Sequence, residues 1–411
     1  MENQKKNIAV VGTFDTKAEE FSYLVKEIQR LGAGTCVIDA GMQPTSADGI
    51  DVPNTEVAKL AGIGFASLNA MTRQDALQEM VRGLEKCVRN LYCDHKIDGI
   101  ISMGGSGGTT LGTAAMKVLP VGIPKLMIST FAGSIRMANY VLGKDIMVLN
   151  PLVDISGVNT ITEMIMKQAA GAIVGAANNA FRPGSKFRKY RIAASMYGLT
   201  TPGVTTAKQY LENKGYEVIT FHSTGAGGRA MEDLIRSGFF DGVLDITLPE
   251  IHAHVLGSPS GSAGPDRASG AAEMGIPQVV CPGAMDMCSA TDFSNFGGRV
   301  IYSHSLVPSH FRPNSEDTRK SAEFLAGQLN KSSAGCALFL PLRGLSLIDV
   351  PGKPMYDKEA NNCLFETLKS SLKSHVELYE LEHNVNDQEF ALAMAKKLDE
   401  IMTEKYSIMP N

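Results

Sequence analysis

Several things are missing from this sequence, and each absence narrows the field. No uncharged stretch reaches the length needed to span a bilayer; residues 161–177, the apolar candidate, are interrupted by Glu163, Lys167 and Gln168. The first twelve residues carry only a short apolar run behind Lys5 and Lys6, so no signal peptide is expected. Charge of one sign is lacking too. The 39 Lys and Arg nearly balance the 43 Asp and Glu, leaving −4, which gives no electrostatic reason to expect nucleic acid. The seven cysteines have no CxxC or CxH spacing, and an odd, scattered set suits a reducing compartment better than a disulfide framework. The expectation is a cytoplasmic protein with neither a membrane nor a nucleic-acid partner. Catalytic signatures are missing as well. There is no Walker A lysine, no third glycine of a dinucleotide fingerprint, and no GxSxG elbow in a strand-turn-helix context with triad partners.

What is present is glycine, 41 residues of it, and enough apolar side chain (44% over 411 residues) for two cores. The organising stretch is residues 97–110. An apolar run ends in Gly104-Gly105-Ser106-Gly107-Gly108-Thr109-Thr110, and Leu111, Ala114, Ala115 and Val118 then recur at helical spacing. Strand, glycine loop and helix together present backbone N–H groups and the positive end of the helix dipole to an anion. Glycine permits positive φ and close approach of a ligand to the main chain. Ser106, Thr109 and Thr110 add hydroxyls.

The first unit of this pattern is earlier. Residues 8–12 read as a strand, and Gly12-Thr13-Phe14-Asp15-Thr16-Lys17 turns into a helix for which Thr16 and Glu19 fit a capping box. Residues 35–38 form the next strand, ending at Asp39. Asp15 and Asp39 are candidates to hold a metal or a ribose, or merely to cap the helix and the turn. Residues 42–70 are turn-rich and read as a flap. Residues 75–91 read as a helix, and residues 160–177 as a second one, rich in alanine and glycine and suited to close contact. A change of character over residues 178–190 marks a linker, giving domains of 1–182 and 190–411.

The second half begins as the first did. Residues 191–197 and 217–221 read as strands, and then comes His222-Ser223-Thr224-Gly225-Ala226-Gly227-Gly228-Arg229-Ala230-Met231-Glu232, a second glycine loop entering a helix. Arg229 at that helix start suits a phosphate or carboxylate, and Arg267 and Arg343 are candidates to join it. His222 at a strand end is a candidate acid or base. Glu250, His252 and His254 tempt a metal reading, yet histidines two apart share a side only on a strand. The fold class expected is α/β: two Rossmann-like or flavodoxin-like domains with mostly parallel sheets.

The two glycine loops, together with residues 12–17, Ala263-Gly264-Pro265-Asp266-Arg267 and Leu340-Pro341-Leu342-Arg343-Gly344, make the chain resemble the family that includes the ATP-binding N-terminal region of a plant tomato mosaic virus resistance protein. The likeness runs over nearly the whole chain and departs at His252 and His254. It implies a Rossmann-like first domain, binding of ATP with magnesium, a homodimer, and a possible TIM-barrel enzyme as partner. Carried onto this sequence, Gly12, Thr13, Asp15, Gly104, Gly105, Ser106, Gly107, Gly108, Thr109, Thr224, Gly225, Gly227, Gly228 and Arg343 would bind the nucleotide. Asp15 and Asp245 would hold magnesium. His222, Arg229, Glu232, Asp266 and Arg267 would serve catalysis on a small-molecule ligand. The expected function is an ATP-using enzyme of a small metabolite. The alternatives are a non-catalytic nucleotide sensor or protein-partner-binding protein, and a nicotinamide or flavin oxidoreductase.

Overall fold

The computed structural model describes residues 5–141, 143–180, 189–258, 260–294, 297–303 and 309–407. The chain divides into two compact units, Met1–Arg182 and Pro183–Asn411. Most of the expected linker, residues 181–188, lies outside the described residues.

The N-terminal unit is built on five strands: β1 (Asn7–Gly12), β2 (Gly34–Asp39), β3 (Gly99–Gly104), β4 (Lys125–Ser129) and β5 (Met147–Leu149). They lie in the order β2-β1-β3-β4-β5, and every pairing is parallel. Helices cover both faces, which is why β3, apolar except for Ser102, is buried at all six residues. On one face, Phe21, Leu24 and Ile28 of the helix Phe14–Arg30 pack with Ile165, Ala169 and Ile173 of the helix Thr160–Asn178. On the other, Met80, Leu84 and Val88 of the helix Arg73–Cys93 pack with Leu111 and Ala115 of the helix Ser106–Lys117. Gly12 is required at the end of β1, because a Cβ there would sit 2.7 Å from the Phe21 ring.

Two local expectations change. Residues 42–70 are no flap: they contain the helix Asn54–Ala61 and a 3-10 turn, Phe65–Ala70, and Val57 and Ala58 are fully buried. Val52 also bridges Ile38 in parallel, along the outer edge of β2. An eight-residue helix is too short to declare itself by periodicity. The Thr16–Glu19 capping box does not form either. The helix begins at Phe14, whose N–H donates to Asp39 Oδ1 at 3.1 Å, and the main chain leaves helical geometry at Lys17 (φ −136°, ψ 35°).

The C-terminal unit contains β6 (Arg191–Met196), β7 (Glu217–His222), β8 (Gly242–Thr247), β9 (Gln278–Gly283), β10 (Cys288–Ser289), β11 (Ile301–Tyr302), β12 (His310–Phe311), β13 (Cys336–Pro341) and β14 (Val376–Leu381). Six of them form a parallel sheet in the order β14-β13-β9-β8-β6-β7; β10, β12 and β11 form a small antiparallel one. Numbered within the unit, the large sheet repeats the strand order of the first with one strand added. Both units are therefore Rossmann-like α/β layers. Among the described residues no helix is long and apolar enough to cross a membrane.

Candidate functional site

In an open parallel sheet the chain leaves neighbouring strands towards opposite faces at one point, and ligands bind outside the strand ends there. In the N-terminal unit that point lies between β1 and β3. A crevice of about 300 Å³ occupies it, lined by Thr13, Asp15, Thr16 and Lys17 from the first corner and by Gly105, Ser106, Gly107, Gly108 and Leu111 from the second. Met42, Arg73, Leu77 and Asp154 complete the wall. The structure thus brings together the two N-terminal motifs that the sequence singled out.

The second corner is open to an anion. Gly105 is the N-cap of the helix Ser106–Lys117 and has no side chain to cap it, so the first amides, of Ser106, Gly107 and Gly108, are left to the crevice they line. None of the glycines from 104 to 108 uses positive φ, contrary to expectation. Close approach is what they provide. A Cβ on Gly104 would lie 2.9 Å from Gly108 Cα, and one on Gly108 would lie 2.9 Å from Met103 O. A Cβ on Gly107 would meet nothing within 4 Å, so its bare backbone faces open space. Thr109 is corrected: it is fully buried, its Oγ1 lies 2.7 Å from Ser129 Oγ, and it faces the core instead of the crevice.

At the first corner, Asp15 Oδ2 accepts the N–H groups of Met42 and Gln43, both at 3.0 Å, while its Oδ1 is buried without a hydrogen-bond partner. Asp39 Oδ1 accepts Phe14 N–H and, at 2.8 Å, Gly41 N–H; its Oδ2 is likewise unpartnered. Burial pushes the Asp39 carboxyl above its ordinary value, with Asp15 adding to the rise. Lys17 Nζ donates to Ile155 O on the rim. A larger groove, about 710 Å³, runs between the helix Phe14–Arg30 and the edge of β2, but none of the buried unpartnered polar atoms belongs to its lining.

The C-terminal glycine loop is different, and several expectations fall with it. Gly225 N–H and Gly228 N–H donate to Glu250 Oε1, at 2.6 and 3.1 Å, so a side chain of the protein already takes the place an anion would have. Gly228 makes room for that carboxylate, since its Cβ would lie 2.1 Å from Glu250 Oε2. Gly227 packs against His222 O, and Gly225 alone needs a left-handed backbone (φ 91°). Thr224 is exposed, with Oγ1 directed to His222 O at 3.4 Å.

Behind Glu250 lies a buried ion cluster. Arg267, fully buried, donates from Nε to Glu250 Oε2 at 2.7 Å, from Nη1 and Nη2 to Asp245 at 2.5 and 2.7 Å, and from Nη1 to Glu232 at 3.3 Å. Glu232 also accepts the N–H groups of Ala268 and Gly270. Burial lifts its carboxyl to about 7 against the pull of Arg267, with Asp245 raising it further. Asp245, expected to hold magnesium, is buried with both its oxygens engaged by Arg267. Glu232 and Arg267 are structural partners with no exposed face. Asp266 is exposed and outside this cluster; its main-chain oxygen accepts from Arg236 and Ser269. Arg343 pairs on the surface with Glu382, and Arg229 donates to Ser262 O at 3.1 Å, so the three arginines share no partner. His222 is exposed and stacks on Tyr197, centroids 5.3 Å apart.

The Glu250–His254 segment is helical, which separates its two histidines. His252 is fully buried between Ser321 Oγ and Met285 O, and burial lowers its imidazole to about 4. Among the described residues no group of three or more His, Cys, Asp or Glu side chains is arranged to hold a metal ion. Sequence reasoning missed Arg73, Leu77 and Asp154, which reach the crevice from distant segments with no motif of their own. Asp286, between β9 and β10, is fully buried, and its Oδ2 accepts from Ser346 Oγ at 2.7 Å. Burial, with Asp349 nearby, raises Asp286 to about 7.

Comparison with known proteins agrees with this division. Residues 6–182 match the "Uncharacterised protein family (UPF0261) N-terminal domain", and residues 189–402 match the C-terminal domain of the same family. A UPF0261 protein of Clostridium tetani is 43% identical over 404 residues, covering 97% of this chain and 99% of that protein. The ToMV resistance protein Tm-1(GCR237) of Solanum lycopersicum is 32% identical over 97% of this chain, which spans only 56% of the tomato protein. Among solved structures, UDP-GlcNAc 2-epimerase from Neisseria meningitidis, bound to UDP-GlcNAc, is similar over 67% of this chain and 82% of its own, at 12% identity and a TM-score of 0.24.

Proposed function

The chain belongs to the UPF0261 family, and we propose that it binds a nucleotide whose phosphates sit in the β1/β3 crevice of the N-terminal unit, with ATP and magnesium as the pair it takes. One observation carries the proposal: the unclaimed amides of Ser106, Gly107 and Gly108 share a crevice with Asp15, a carboxylate whose Oδ1 is buried without a hydrogen-bond partner. The amides and the helix dipole suit phosphate oxygens. Arg73 and Lys17 add positive charge to the same wall. Magnesium is commonly held by one or two carboxylates, with substrate phosphates and water completing its shell, so the Asp15 carboxylate on the crevice wall fits it without a larger acidic cluster. Bound there, the ion would offset phosphate charge. Lacking a P-loop lysine, the site supports slow or positional chemistry on a small metabolite better than rapid NTP hydrolysis.

Calorimetry with ATP, ADP and NAD, with and without magnesium, tests this reading. The expected result is magnesium-dependent ATP binding that Gly107→Asp weakens at least tenfold, by placing a like charge over the amides, and that Arg229→Ala leaves unchanged. Preference for NAD would overturn it. ATP consumption across a metabolite panel then tests the enzymatic part; binding without consumption would leave a sensor.

A further inference from the structure

The crevice does not end at its phosphate seat. Leu77, on its wall, also lines a second groove of about 400 Å³, whose other residues are Gln74, Gln78, Val81, Arg82 and Thr110. The groove runs between the first three turns of the helix Arg73–Cys93 and Thr110, at the start of the second turn of the helix Ser106–Lys117. The two cavities are therefore neighbours across one side chain, and the helix that presents the phosphate-facing amides also forms a wall of the groove.

Resting on the nucleotide reading above, we infer that this groove is the seat of the nucleobase, and that the ligand bends over Leu77 with its phosphates at Ser106–Gly108 and its ring against Leu77 and Val81. Three properties of the groove fit a base better than an acyl chain or a sugar. Its apolar surface comes from two branched side chains one helical turn apart, Leu77 and Val81, which lie on one face and offer a flat contact to a planar ring. Its rim carries the amides of Gln74 and Gln78, each with a donor and an acceptor, which an acyl chain would leave unpaired and a base edge can use. Arg82 supplies a guanidinium able to stack on an aromatic face. A sugar ring, by contrast, would turn its hydroxyls onto Leu77 and Val81 and lose their hydration.

The test compares ATP with inorganic tripolyphosphate, which offers the same charge and no base. The expected result is that ATP binds at least tenfold tighter than tripolyphosphate to the parent chain. Gln78→Trp, at an exposed helix position, fills the groove; it should remove ATP's advantage while tripolyphosphate binds as before. Arg82→Trp, on the same rim, should do likewise, and an unchanged melting curve shows that each variant is folded. Equal affinity of the parent for both ligands, or an ATP advantage that survives both tryptophans, overturns the base seat and leaves the phosphate seat standing. Failure of either ligand to bind the parent overturns both.

Discussion

The two glycine corners look alike in sequence and end in opposite states. Gly104–Gly108 leaves its helix amides facing a crevice, whereas Gly225–Gly228 closes on Glu250, whose carboxylate accepts two of its N–H groups and is held from behind by Arg267. The lesson is about what a strand-glycine-helix motif specifies. It specifies affinity for negative charge, and the rest of the fold decides whether that charge comes from outside or from within. Among the described residues, Asp15 and Asp154 line the N-terminal crevice, but neither carboxylate accepts the amides of Ser106, Gly107 or Gly108; Asp15 accepts Met42 and Gln43 instead. In the C-terminal unit the segment after β8 delivers Glu250 to the spot.

The comparison can be broken most forcefully at Arg267. Replacing it with methionine leaves Glu232, Asp245 and Glu250 buried without their cation, and breaking a buried pair costs about 3–5 kcal/mol. Denaturant unfolding of Arg267→Met should show such a loss. A loss below about 1 kcal/mol, the scale of a surface pair, would mean that the cluster does not hold the second corner shut.

A smaller contrast sets glycine against glycine. Gly228→Ala forces a methyl to within 2.1 Å of Glu250 Oε2 and should destabilise by about 1–3 kcal/mol. Gly107→Ala meets open space inside a helix, so the fold should be unchanged or gain up to about 1 kcal/mol. Equal destabilisation by the two would erase the distinction between a filled and an open corner.

The smallest effect is in pH. The Glu232 carboxyl is raised to about 7, so the folded chain holds a proton that the unfolded chain has already released. Its contribution is complete below the ordinary carboxylate range and is lost as pH rises towards 7. Asp286 acts in the same direction, while His252, lowered to about 4, contributes above its ordinary value and loses that as pH falls. Glu232→Gln removes one declining term. Measured against the parent by urea unfolding from pH 4.5 to 7, the variant's relative stability should climb; a flat difference would deny the shift.

The fold was legible where periodicity is strong and long. The strand-helix alternation, the long helices and the carboxyl-end position of the first crevice followed from apolar runs and glycine punctuation. What was not legible depends on contacts distant in sequence. Glu250 lies 25 residues from Gly225 and nothing in its surroundings announces that it reaches back to that loop. Arg267 reads as a loop arginine fit for a phosphate until three carboxylates are seen around it. Thr109 has the spacing of a ligand hydroxyl, but helix geometry turns it towards Ser129. A motif shows which backbone groups seek a partner; tertiary structure alone shows who answers.

Glu250 has one more consequence. A turn that carries its own counter-anion is saturated at every metabolite concentration, so the melting of the C-terminal unit should be indifferent to added triphosphate. The N-terminal unit has no such tenant, and a ligand that binds only its folded form adds RT ln(1 + [L]/Kd) to its stability. Scanning calorimetry over a ligand series should separate a transition that climbs, where the proposed ligand binds, from one that stays put.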